Sequence, residues 1–196
     1  LQQLHIILDS PAEFPVSKTE LDIGAVTEPY QNIAQCIRAG LCISHNLRRW
    51  VWISICFNNL GPLTININPQ TIQFLGTDER SILHIILRAQ NESNKSKRKS
   101  KTPHGISISK MDAKETITKK MTPSTLLLFP GKETTWYDQI SDKDVFLMYC
   151  PLFEYNTTEW EHQYPIRHYL DFHKRDLAIL TVLHHLDSIG VDVQKD

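Results

Sequence analysis

The sequence predicts an α/β domain built on a mainly parallel sheet. Short apolar runs of strand length recur along the chain, stretches with apolar residues about four apart lie between them, and turn signals separate the two. A length of 196 residues fits one domain, or one domain carrying an insertion.

The elements follow in order. Residues 4–8 (LHIIL) read as a central strand, followed by a loop holding Pro11 and Pro15. From about Glu28 the pattern becomes helical: Ile33, Ile37 and Leu41 fall four apart with Ala34 beside them, and Pro29 suits a first helical turn. Residues 50–57 (WVWISICF) are β-branched and aromatic, hence strand, and 58–62 (NNLGP) form a turn before a strand at 63–67 (LTINI). Thr77 is the expected N-cap of the next helix, with Asp78 and Glu79 in the first turn and Ile82, Ile85, Ile86 and Ala89 on the apolar face. A strand at 105–109, a helix at about 111–121 and strands at 124–129 and 145–150 come next. The last element is a helix over roughly 172–188, with Ile179, Leu180, Val182, Leu183 and Leu186 as a wide apolar face and Asp171 as its N-cap.

One stretch breaks the pattern. Residues 91–101 (NESNKSKRKSK) lack apolar anchors and carry Lys95, Lys97, Arg98, Lys99 and Lys101. Such a run cannot bury itself, which predicts a mobile basic insertion at about 91–103. It is either a phosphate-binding arm or simply solvated.

Composition excludes several classes. The net charge of −1 gives no bulk attraction to nucleic acid, so only local basic runs would serve. No apolar run approaches the roughly 18–20 residues of a membrane span. The chain opens on Leu1 rather than Met, and neither a signal nor a transit peptide is visible in it. Cys36, Cys42, Cys56 and Cys150 form no C-x-x-C pair and sit among apolar neighbours, as small buried hydrophobes do. His168, His173, His184 and His185 lack a converging carboxylate or thiolate at fixed spacing, so no metal site is expected. There is no Walker A loop, G-x-S-x-G or H-E-x-x-H.

Two stretches are more specific: SHNLRRW (44–50) and FLGTDERS (74–81), separated by the Gly61-Pro62 turn. HGISISK (104–110), TLLLFPGKETTWYDQI (125–140) and HKRDLAILTVLHHLD (173–187) follow in order. Together they resemble the archaeal tRNA pseudouridine-54 N1-methyltransferase family of the SPOUT superfamily, over nearly the whole chain. That resemblance implies a Rossmann-like sheet with a C-terminal trefoil knot, a dimer packed partly through the final helix, and ancestry among S-adenosylmethionine-dependent RNA methyltransferases.

The same resemblance exposes departures. A family cofactor segment like Phe-Val-Leu-Gly-Asp-His-x-Gly-Phe is represented here by 146–153, FLMYCPLF, and no glycine occurs from 132 to 189. Glycine there lets backbone donors approach the cofactor, and proline removes a donor altogether. Residues 166–171 replace a Ser-Leu-Gly-Pro-like run, and 21–28 leave the substrate-side arginine and aspartate unmatched. Leu147, Met148, Cys150, Phe153 and Leu170 are therefore expected to be remnants of cofactor loops, with no cofactor held.

The expectation is a non-catalytic SPOUT-like protein that binds RNA or a ribonucleoprotein, in ribosome assembly for instance, as a homodimer, heterodimer or larger assembly. An active S-adenosylmethionine-dependent methyltransferase on tRNA or rRNA, and a regulatory partner of an active homologue, are the alternatives. Candidate RNA contacts are Arg48, Arg49, Arg80 and the five basic residues of 95–101. Arg48 and Arg49 are equally placed to pair with Asp78 or Glu79. Trp136, Tyr137, Tyr155, Trp160 and Tyr164 suit base stacking, pocket filling or a protein interface. The compartment expected is intracellular: mitochondrial as a guess, otherwise cytoplasmic or nuclear.

Overall fold

A computed structural model describes residues 3–44, 46–73, 75–93, 102–130, 145–152, 166–169 and 175–188. Strands β1 (Gln3–Ser10), β4 (Val51–Phe57), β5 (Leu63–Ile67), β6 (Ile106–Ser109), β7 (Thr125–Pro130), β8 (Val145–Pro151) and β9 (Ile166–Tyr169) make one sheet in the order β6-β5-β4-β1-β8-β7-β9. The ladders from β4 through β9 are parallel, and β5 alone runs against its neighbours β4 and β6. The short turn of 58–62 explains that reversal, since so few residues can close a hairpin but not a parallel crossover. β2 (Cys42–Ile43) and β3 (Asn46–Leu47) pair as a separate two-stranded hairpin.

The central strands are apolar on both faces, as a sheet covered on both sides requires. Leu4, Ile6 and Leu8 of β1 enter the larger core with α2 (Glu28–Leu41), α3 (Glu79–Ser93) and α5 (Arg175–Ser188). Ile7 points the other way, into a smaller core with Leu127, Phe129, Leu147 and Tyr149 under α4 (Ala113–Lys120). Gly40 lets α2 settle on the sheet: a Cβ there would meet Ile6 Cδ1 at 3.1 Å and Ile53 Cδ1 at 3.2 Å.

Most expected elements are present, with several corrections. Asp78, not Thr77, caps α3: its carboxylate accepts the Ser81 N–H at 2.8 Å. Helix α3 runs through Ser93, so the first three residues of the expected basic loop are helical. Leu180 does not face the core; it is 41% exposed, as Leu177 is at 46%. Apolar residues are spread around this helix among polar ones, so periodicity does not say which face is buried. Three elements were not expected at all. Helix α1 (Lys18–Ile23) opens with a Ser17–Glu20 capping box that is visible in the sequence. Strands β2 and β3 pair with each other, and 166–169 form the edge strand β9 rather than a loop.

Candidate functional site

Strand β1 lies between β4 and β8, where the order of strands along the chain reverses; ligands of open α/β sheets collect at the carboxyl ends of such strands. Asp9 stands at that end, 3% exposed. Its Oδ2 accepts the Tyr149 hydroxyl at 2.7 Å and its Oδ1 accepts Asn58 Nδ2 at 2.9 Å. Its carbonyl accepts the Leu152 N–H at 2.8 Å. Burial pushes the carboxyl up to about 6, the Tyr149 hydrogen bond pulls back, and Asp112 adds to the rise. An acid held near 6 is often catalytic. Here both oxygens are engaged and almost no surface remains, so the group ties the ends of β1, β4 and β8 together. The sequence reading missed it, although an acidic residue directly after the apolar run 4–8 is a usable signal.

The neighbouring strand revises the reading of the cofactor segment. Leu147, Met148 and Cys150 are not loop residues: they lie within β8, each wholly buried and paired in register with His5, Ile6 and Leu8 of β1. Pro151 offers no N–H, and that of Leu152 is spent on Asp9. The described end of β8 therefore does not fit a cofactor that must be held by free backbone donors. Phe153, Leu170 and Asp171 lie outside the described residues, as do 131–144, 153–165 and 170–174 and the aromatics Trp136, Tyr137, Tyr155, Trp160 and Tyr164. The thiols at Cys36, Cys56 and Cys150 are buried, Cys42 partly so, and burial pushes the Cys56 thiol up to about 11.

The candidate RNA contacts separate on inspection. Arg48 is half-buried, and its Nη1 donates to the carbonyls of Ala39 at 3.1 Å and Cys42 at 3.3 Å, with Gly40 at 3.5 Å. It closes the carboxyl end of α2, where the helix dipole favours a cation. Arg49 donates to the Pro69 carbonyl. Neither pairs with Asp78 or Glu79; Glu79 lies 3.9 Å from Arg38 instead. Arg80 bridges to Asp22 at 3.0 Å on the surface. The two family-like stretches thus fasten the ends of α2 and α3. Lys95, Lys97, Arg98, Lys99 and Lys101 lie outside the described residues.

The opposite part of the sheet carries a feature the sequence reading did not anticipate. A groove of about 520 Å³ runs over β4, β5 and β6 beside the end of α4, lined by Trp52, Asn66, Ser107, Ser109, Lys119 and Lys120 among others. The Trp52 ring stacks on His5 at 5.2 Å and 15°. Burial, helped by nearby Lys120, lowers His5 to about 4, so the imidazole is neutral at physiological pH. Ser54 donates to Asn66 Oδ1 at 2.8 Å, and Asn66 Nδ2 donates to Ser109 at 3.4 Å.

No family model and no curated protein sequence matches this chain. Among solved structures it is similar to Archaeoglobus fulgidus Nep1 bound to S-adenosylhomocysteine, at 9% identity and a TM-score of 0.61 over 96% of this chain and 99% of that one. The likeness is one of fold, and the mixed α/β domain on a mainly parallel sheet is the architecture that the sequence led us to expect.

Proposed function

We propose that this chain is a SPOUT RNA-methyltransferase-like protein that binds RNA or a ribonucleoprotein and does not transfer methyl groups. The observation that carries the RNA-directed part is the fold shared along both full lengths with Nep1. The non-catalytic part rests on the glycine-free stretch from 132 to 189 and on the end of β8, where Pro151 lacks a donor and Leu152 spends its own. A site that forgoes two backbone hydrogen bonds gives up roughly 1–3 kcal/mol, or about 5- to 150-fold in cofactor affinity. The single SPOUT-like domain, its trefoil knot and a dimer through α5 belong to the same reading.

An active RNA methyltransferase is the second reading, favoured by the S-adenosylhomocysteine held by that structural neighbour. Calorimetric titration of the full chain with S-adenosylmethionine and S-adenosylhomocysteine separates the two. The expected result is no micromolar binding of either, with salt-dependent binding of RNA in a parallel gel-shift assay. Micromolar cofactor affinity together with methyl transfer to RNA would replace the first reading with the second.

A further inference from the structure

We propose that the groove beside α4 is a nucleotide subsite for single-stranded RNA, in which Trp52 stacks a base and Lys119 and Lys120 take the adjoining phosphates. The inference deepens the RNA-binding reading above and rests on it.

Four observations lead there. First, Trp52 comes from a strand whose neighbours Val51 and Ile53 are buried, yet its own side chain lines the groove. Its ring is held flat by His5, whose neutral state adds stacking surface without charge. An aromatic fixed on a sheet face is how several RNA-binding folds present a stacking platform.

Second, Lys119 and Lys120 border the same groove and make no ion pair with any carboxylate among the described residues. Burial lowers the Lys120 ammonium, a cost that an incoming phosphate would offset. Their place in the last turn of α4 suits the helix dipole. That alone does not account for their bordering a polar groove with an aromatic floor.

Third, the hydrogen-bonding groups are of the kind that reads a base edge or a ribose. Asn66 is held by Ser54 and Ser109, so its amide is oriented before any ligand arrives. The exposed Ser107 hydroxyl has no partner among the described residues. Fourth, the volume of about 520 Å³ falls within the range of small-molecule sites and is ample for one nucleotide. A duplex would not place an unstacked base on Trp52, so the occupant is single-stranded.

The test uses the full chain and a fluorescein-labelled single-stranded oligoribonucleotide of about ten nucleotides, with anisotropy read across a salt series. Trp52→Ala is expected to weaken binding by roughly 5- to 100-fold, and Trp52→Phe by much less. The double variant Lys119→Gln, Lys120→Gln is expected to reduce the slope of log affinity against log salt by about 1.4. A thermal melt establishes that each variant folds, and the lysine pair keeps the test alive should Trp52→Ala unfold the chain. Ultraviolet cross-linking of the wild type is expected to label the peptide containing Trp52. Undiminished affinity and an unchanged salt slope in folded variants overturn the groove while leaving RNA binding elsewhere intact. Failure of the wild type to bind either the single strand or a folded tRNA overturns the functional reading itself. Tighter binding of an acidic polypeptide than of RNA, lost in the lysine variant, would assign the groove to a protein partner and also overturn the proposal.

Discussion

The Tyr149 hydroxyl donates to Asp9 Oδ2 at 2.7 Å across 140 residues of sequence. The bond crosses from β8 to β1 near their carboxyl ends, and Asn58, directly after β4, adds a second donor. A buried carboxylate held in this way is costly to ionise, which makes the contact visible in pH dependence.

Asp9 is raised to about 6 from an ordinary 3.8, chiefly by burial. With the folded value above the unfolded one, its stabilising contribution is complete below about 4 and is lost as pH rises through 6. A rise of about two units corresponds to about 3 kcal/mol. Asp9→Asn should remove that dependence. In urea unfolding at about pH 4 and about pH 8, the stability of wild type relative to the variant should fall by about 2–3 kcal/mol on going to the higher pH. An unchanged difference would show that the carboxyl titrates normally. Tyr149→Phe should move the Asp9 titration further up, read by carboxyl NMR, because the hydroxyl bond favours the charged form.

Arg48 and Arg80 should behave in opposite ways despite equal charge. Arg48→Ala strips donors from the carbonyls at the end of α2 and should cost about 2–3 kcal/mol, measured by chemical denaturation. Arg80→Ala removes one exposed ion pair and should change stability by less than about 1 kcal/mol. Equal losses would mean that Arg48 is not the closure of α2.

Gly105 has a φ of 80°, and a Cβ there would collide with the backbone of Ile72. Its carbonyl also accepts the Asn68 N–H at 2.8 Å. Gly105→Ala should therefore destabilise by about 2–4 kcal/mol, combining left-handed strain with a clash that backbone atoms cannot relieve by rotation. A melting temperature within about one degree of wild type would contradict the geometry.

Leu177 and Leu180 lie three apart on the outer side of α5, both exposed. If a second copy covers them, Leu177→Lys with Leu180→Lys should convert a dimer to a monomer in sedimentation analysis without lowering helix content. A wild type that sediments as a monomer at high micromolar concentration would rule out that interface.

How much of this was legible in the sequence follows from how local each signal is. Ile33, Ile37 and Leu41 announced α2 because periodicity lies within one helix, and residues 50–57 announced a strand by their residue types alone. Asp9 escaped because its partners lie 49 and 140 residues away. Arg48 was ambiguous because a guanidinium serves phosphate, carboxylate and carbonyl alike, and only the position of α2 decides. Trp52 read as one more strand aromatic. Its place in a groove appears only when β5, β6 and α4 surround it. Leu180 was misassigned because α5 has apolar residues on more than one side.

The place of β1 has a further consequence for synthesis. Strand β1 precedes both of its partners in the chain and lies between them, paired with β4 on one edge and β8 on the other. Its second edge has no partner until residues 145–151 have been translated, so everything from β4 to β7 is made while an apolar strand edge stays open. Folding dominated by such distant pairings is slow, and unpaired apolar edges invite intermolecular pairing. The nascent protein should thus depend on chaperones during its own production, and truncations ending before Val145 should aggregate under conditions where the chain that includes β8 stays in solution.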